Sequence, residues 1–169
     1  MSEKIQITKA RDKHIPEIVE LWKEFMDYHK EFDSRFPMRE NAYLSFQNHL
    51  KELMTSENKI VYIALDNDHV VGFATCSINT QAPIWEIEKY GTIDTLVVES
   101  QYRRKGIGAK MLSTINEWFG VQSIVRIEVS LAIKNQVAQS FWRKHGYQDH
   151  TLRLYLDTHD ISTTIWETK

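Results

Sequence analysis

Apolar and polar residues change period along this chain, and each change marks an element. Ile5 to Lys9 alternates, which predicts a half-buried strand. After Asp12, the residues Ile15, Ile18, Val19, Trp22, Phe25 and Met26 recur at helical spacing. A second helical pattern follows Pro37 through Tyr43, Phe46, Leu50, Leu53 and Met54, beyond the polar and aromatic link Tyr28 to Phe36. Lys59 to Leu65 and Val70 to Ile78 are β-rich runs joined by Asp66-Asn67-Asp68-His69, whose side chains favour tight turns, so they read as an antiparallel hairpin. Ile84 to Lys89 reads as strand or loop, and Thr92 to Val98 as a strand bounded by Gly91. From Ile107, residues Met111, Leu112, Ile115, Trp118 and Phe119 keep helical spacing until Gly120 stops it. A strand over Ile124 to Ser130 follows, then a helix over Asn135 to Lys144 with Val137, Ala138, Phe141 and Trp142 on one face, and a Gly146-Tyr147 break. Leu152 to Leu156 reads as a last strand, and Ile161 to Trp166 as one more short run.

The order β-α-α-β-β-β-α-β-α-β mixes strands and helices around an early antiparallel meander. It predicts an α/β fold with a mixed, mainly antiparallel central sheet and helices on both faces. At 169 residues and 42% hydrophobic content, with no linker, repeat or charge block, the chain reads as a single domain over residues 1–169. The net charge of −2 lacks the basic balance that drives non-specific nucleic-acid binding, so no nucleic-acid partner is expected. Cys76 is the sole cysteine, set in an apolar run, which excludes an intrachain disulfide and a cysteine-cluster metal site. No apolar segment is long enough for a signal peptide or a membrane span, so no membrane partner is expected and the simplest location is cytoplasmic.

The chemistry concentrates where the run Val97-Val98 ends in Tyr102-Arg103-Arg104-Lys105 and glycines open a helix at Gly106-Ile107-Gly108. Glycine lets backbone approach a ligand, and the first N–H groups of a helix lack intrahelical partners, so the turn suits a phosphate. It carries neither the P-loop spacing nor Gly-x-Gly-x-x-Gly. It does match Arg/Gln-x-x-Gly-x-Gly/Ala, as Arg103-x-x-Gly106-x-Gly108, after Leu96 and Val98 at a strand end. Further on, Asn135-x-x-Ala138-x-x-Phe141-Trp142 with Gly146-Tyr147 is similar to Asn-x-x-Ala-x-x-Phe-Tyr-x-x-x-Gly-Phe. Both motifs, in this order, resemble those of the GNAT superfamily of N-acetyltransferases, whose element order the chain also follows over nearly its whole length.

The resemblance implies acetyl-CoA as co-substrate. Backbone of Leu96, Val97 and Val98 would pair with the two-amide arm as an added strand, and Arg103 to Ala109, with Ile107 and Gly108, would wrap the pyrophosphate. Asn135, with Ala138, Phe141 and Trp142, would lie along the arm; read from the residues alone, Asn135 is equally a helix cap. Arg103, Arg104 and Lys105 are each as readily solvated surface charges, but their summed field beside a helix N-terminus favours phosphate.

Acetyl transfer to an amine needs a neutral nucleophile, a group that takes its proton, and polarisation of the thioester carbonyl. Asp94, two residues from Leu96 and four from Val98, is expected on their strand face and is the first candidate for base or amine anchor, the alternative being an ordinary ion-paired carboxylate. Glu86 and Glu88 come next. The family commonly places a tyrosine near the coenzyme sulfur where this chain has Trp142, and an indole cannot serve as a proton acid near pH 7. Either another group or solvent protonates the thiolate, or the chain is a weakened CoA-binding sensor or accessory module.

For the acceptor, the resemblance points to the link Tyr28 to Phe36 and the loop Ile78 to Tyr90. Tyr28, Glu31, Phe32, Asp33 and Trp85 offer acids and aromatics suited to a small-molecule or peptide amine, the alternative being aromatics that close the core under a loop. His29, Glu31 and Asp33 read as polar surface, so no metal is expected. Many relatives pair through edge strands, which leaves a homodimer open.

Overall fold

A computed structural model describes residues 5–32 and 38–156; Asp33 and the run Ile161 to Trp166 lie outside them. Contacts divide the chain into two compact units, residues 1–135 and 136–169.

In the first unit, β1 (Gln6–Lys9) leads through a short 3-10 turn into α1 (Ile15–Lys30), followed by α2 (Ala42–Thr55). The hairpin β2 (Lys59–Asp66) and β3 (His69–Thr80) closes as expected through a two-residue turn, with Asp66 opposite His69 and Asn67 at φ 53°. Then come β4 (Lys89–Val98), α3 (Ile107–Val121) and β5 (Ile127–Val129). The strands form one sheet in the order β1-β2-β3-β4-β5, antiparallel except for β4 with β5.

Neighbouring residues of β3 show which helix covers which face, because successive side chains of a strand point to opposite sides. The Phe73 ring lies 6.2 Å from that of Phe46 on α2, which itself stacks on Trp22 of α1 at 4.3 Å. A side chain on Gly72 would instead meet Met111 of α3. Thus α1 and α2 cover one face and α3 the other, as the element order predicts. The core of the α1/α2 face joins Ile18, Leu50, Val61, Ile63, Phe73 and Val97.

Three boundaries differ from the sequence reading. First, β4 runs through Gly91 rather than starting after it. A Cβ at Gly91 would collide with the Phe119 ring, so the glycine marks the close approach of α3 to the sheet. Second, α3 continues past Gly120 to Val121. It ends where Ser123 takes φ 57°, with Ser123 N–H donating to the Gly120 carbonyl and Ile124 N–H to the Phe119 carbonyl, both at 2.9 Å, a Schellman cap built on serine. Third, β5 is three residues long rather than seven, while residues 84–86 take the loop alternative, as turn and bend.

The second unit contains α4 (Gln136–Lys144), closed by Gly146 N–H donating to the Arg143 carbonyl and Tyr147 N–H to the Trp142 carbonyl. The Trp142 ring lies 5.2 Å from Phe141 and 4.9 Å from Tyr147, both edge-on. Val137 is 66% exposed and does not share the covered stripe, since five residues at 3.6 per turn carry it well round the helix from Trp142. Residues 152–156 form no strand: Leu152, Leu154 and Leu156 are all exposed. Alternation sets which face a strand would bury, but a strand also needs a ladder partner.

Candidate functional site

Two irregularities in β4 build the site. The first is loss of a neighbour. The parallel ladder pairs Gly91 with Ile127, Thr92 with Glu128 and Ile93 with Val129, and stops there. From Asp94 to Val98 the strand has β3 on one edge and, among the described residues, no ladder on the other. Glu99 N–H donates to the Val71 carbonyl at 2.9 Å, so Glu99 and, by alternation, Val97 point their backbone groups at β3, while Leu96 and Val98 point theirs at the open edge. The Val98 carbonyl confirms this direction by accepting from Arg103 Nε at 2.9 Å.

The second irregularity is a bulge. Thr75 pairs with Thr95 and Cys76 with Ile93, leaving Asp94 as the extra residue. This overturns the expected face of Asp94. Val98 pairs with Gly72 and Leu96 with Ala74, on the α3 side, whereas Asp94 joins Thr95 and Val97 on the α1/α2 side. An inserted residue breaks the period of two, and bulges commonly re-aim side chains next to sites.

On that side Asp94 enters a polar chain across two strands. Ser77 Oγ donates to Asp94 Oδ2 at 2.7 Å, Thr92 Oγ1 to Asp94 Oδ1 at 2.9 Å, and Asn79 Nδ2 to Thr92 Oγ1 at 3.1 Å. The Asp94 side chain is itself exposed and opens on a cavity of about 270 Å³. Its walls are Phe46, His49 and Leu53 of α2, Lys59 at the start of β2, Thr75 and Ser77 of β3, and Asp94 and Thr95 of β4. The sequence reading missed the α2 and hairpin residues. Their signal was the alternation Thr75, Ser77, Asn79 in an otherwise apolar run: a polar stripe facing one way from a core strand.

Beyond β4 the chain turns toward α3. Tyr102 Oη donates to the buried Asp66 Oδ2 at 2.8 Å, tying this turn to the β2–β3 hairpin. Arg104 takes φ 63° and Gly106 φ 81°, and Gly106 is the residue from which α3 starts, so the N–H groups of Ile107, Gly108 and Ala109 form the first turn of the helix. Arg103, Arg104 and Lys105 stand at that end, with Lys105 Nζ 5.0 Å from the Tyr102 ring centre. The Arg103 guanidinium lies 5.7 Å over the Tyr28 ring, and Tyr28 meets Phe32 edge-on at 4.8 Å. The structure therefore brings Tyr28 and Phe32, expected at the acceptor, beside an arginine expected at the phosphates.

Other expected residues stand apart. Glu86, Glu88 and the 59%-exposed Trp85 lie on the loop over residues 81–88, closed by Gln81 N–H to the Glu88 carbonyl at 2.8 Å. Glu88 is six residues of chain before Asp94, about 20 Å of strand. Glu31 is exposed beyond the end of α1, and Asn135 is buried at the end of the first unit. Ala138, Phe141 and Trp142 belong to α4. Cys76, buried on the strand beside the bulge, has its thiol pKa pushed far up by burial and then by the Asp94 charge, which suits a core residue and not a nucleophile. Among the described residues no group of three His, Cys, Asp or Glu side chains is placed to hold a metal, and no helix is long and apolar enough to cross a membrane.

The same fold recurs in solved structures. A tetramutant of the BH1408 protein from Bacillus halodurans superposes with a TM-score of 0.81 at 17% identity, over 90% of this chain and 99% of that one. A predicted acetyltransferase from Clostridium acetobutylicum, solved with acetyl-CoA, gives 0.76 at 17% identity over 91% and 96%. An aminoglycoside acetyltransferase from an uncultured soil metagenomic sample, solved with sisomicin, gives 0.68 at 20% identity over 90% and 95%. No curated protein matches the sequence. The model of the acetyltransferase (GNAT) family matches residues 18–147, from α1 through α4 to Tyr147, and the chain belongs to that family.

Proposed function

We propose that this chain is an acetyl-CoA-dependent N-acetyltransferase acting directly on a primary amine in a ternary complex, with Asp94 binding the amine and accepting its proton. The observation that carries this reading is the coincidence on β4: among the described residues the strand loses its ladder partner just past Ile93, and the bulge there aims Asp94 at a cavity.

The chain's residues fit the co-substrate. The open-edge backbone of Leu96 and Val98 suits an arm with two amides, as an added strand would. The first turn of α3, with Arg103, Arg104 and Lys105, suits its phosphates through N–H groups and charge. Acetyl-CoA, when bound, supplies an activated acyl carbon.

A primary amine reaches the site as an ammonium ion and must lose a proton before its lone pair can attack. Each Asp94 oxygen accepts one hydroxyl hydrogen bond, from Ser77 or Thr92. A carboxylate oxygen has a second lone pair, so both remain able to accept an ammonium N–H while the hydroxyls fix the carboxylate's orientation. Asp94 takes the ammonium's first proton and passes it to solvent; as the neutral amine then forms its bond to the acyl carbon and the carbon–sulfur bond breaks, the second nitrogen proton passes to Asp94 and the thiolate takes a proton from solvent. Trp142 supplies no proton, because indole N–H is a donor without acidity near neutral pH.

The test is a panel of primary amines with acetyl-CoA, following thiol release. Thiol release that depends on amine supports the reading. CoA binding without release from any amine would favour a sensor or accessory role.

A further inference from the structure

The walls of the Asp94 cavity carry more than an amine needs. Asp94 is its one carboxylate among the described residues, yet Lys59 and His49 also line it. Lys59 pairs directly with Ser77 across β2 and β3, so its side chain rises from the same face, one strand spacing from the serine that holds Asp94. Among the described residues, neither Asp94 nor Lys59 takes part in an ion pair. A cation and an anion thus flank one hydroxyl without neutralising each other. Phe46 and Leu53 supply an apolar wall above them.

This arrangement is poorly complementary to a polycation, which would place further ammonium groups against Lys59. It suits a molecule with one ammonium and one acidic group a few bonds apart, joined to a compact apolar body. From this we infer that the acceptor class is an amino acid or a close zwitterionic analogue: the ammonium on Asp94, the carboxylate on Lys59, the side chain against Phe46 and Leu53. The inference rests on the proposed acetyltransferase reading for its chemistry, but the pocket's charge pattern concerns binding alone.

Matched probes separate the two. L-phenylalanine and L-leucine are compared with phenethylamine and isoamylamine, which lack only the carboxylate, and with sisomicin as a polycation. Binding to the protein with CoA present is measured by calorimetry, and thiol release is measured with acetyl-CoA. The amino acids should bind at least about tenfold more tightly than their decarboxylated partners, as a charge-assisted hydrogen bond provides. Lys59→Gln should remove that preference, weakening the amino acids relative to the plain amines. Preference for the plain amines or sisomicin, or a Lys59→Gln change equal for both members of a pair, would overturn the inference. So would tighter binding of every amine to Lys59→Gln, which would show Lys59 competing for Asp94. Lys59-dependent amino-acid binding without thiol release would uphold the ligand class and overturn the acetyltransferase reading.

Discussion

Ser77 donates its hydroxyl to Asp94 Oδ2 at 2.7 Å across the β3–β4 ladder, which makes a core strand the positioning element for an exposed carboxylate. Ser77→Ala should therefore leave acetyl-CoA affinity unchanged and lower kcat/KM for an amine about tenfold, the worth of one hydrogen bond to a charged group. Ser77→Thr, which keeps the hydroxyl, should restore most of the loss. Steady-state kinetics on the three proteins checks this, and equal activity in all three would remove Ser77 from the site.

Gly91 and Phe119 make a prediction about stability. The ring is fully buried and stands where a Cβ would have to go, so neither partner can give way cheaply. Gly91→Ala should cost about 1–3 kcal/mol, read as a lower Tm. A Tm equal to wild type would mean that α3 can shift on the sheet without loss.

Gly106 is different, since nothing lies within 4 Å of its would-be Cβ and its demand is only φ 81°. Gly106→Ala faces about 1–2 kcal/mol of left-handed strain at the start of α3 and should tilt the first-turn N–H groups. CoA affinity by calorimetry should fall about tenfold. Gly120→Ala, inside the helix with open space around it, should leave affinity unchanged. Equal affinities for both variants would take the α3 turn out of CoA binding.

His69 gives a pH dependence with a definite sign. Its Nδ1 lies 2.9 Å from Glu17 Oε2 and its Nε2 3.2 Å from Glu99 Oε2. Burial lowers its pKa, but the hydrogen bonds and charges of the two carboxylates outweigh that and hold it above the ordinary imidazole value. Only the imidazolium can donate to both. The folded pKa exceeds the unfolded one, so the stabilisation is full below about pH 6.5 and is lost as pH rises through the raised value. His69 is half exposed, which limits the effect to about 1 kcal/mol or less. The Tm gap between wild type and His69→Gln should shrink from about pH 5.5 to pH 8.5. His14, whose pKa burial lowers, acts with the opposite sign in both proteins and cancels in the difference. A gap that is constant or grows with pH would refute the clasp.

The residues show why some of this was legible in the sequence and some was not. The β2–β3 hairpin was readable because apolar runs and an Asp-Asn-Asp turn agree locally. The turn into α3 was readable because glycines open the helix at Gly106-Ile107-Gly108, although Arg104 also takes a positive φ. Gly91 misled because glycine in a strand and glycine before a strand look alike until Phe119, far along the chain, is in place. The face of Asp94 was misassigned because a bulge is a property of two strands in register, and no period within one strand records it. The cavity's α2 wall was missed because Phe46 and Leu53 serve equally as core residues; only the tertiary fold shows that they also face a cavity.

Asp94 carries the account, and Asp94→Asn tests it most directly, keeping size and hydrogen bonding while removing the charge. With the best amine of the panel, kcat should fall by roughly 10²–10⁴-fold and the acidic limb of the pH–rate profile should flatten, with acetyl-CoA affinity preserved. Wild-type kcat and wild-type KM for the amine in that variant would contradict the account, since neither proton transfer nor amine binding would then pass through Asp94.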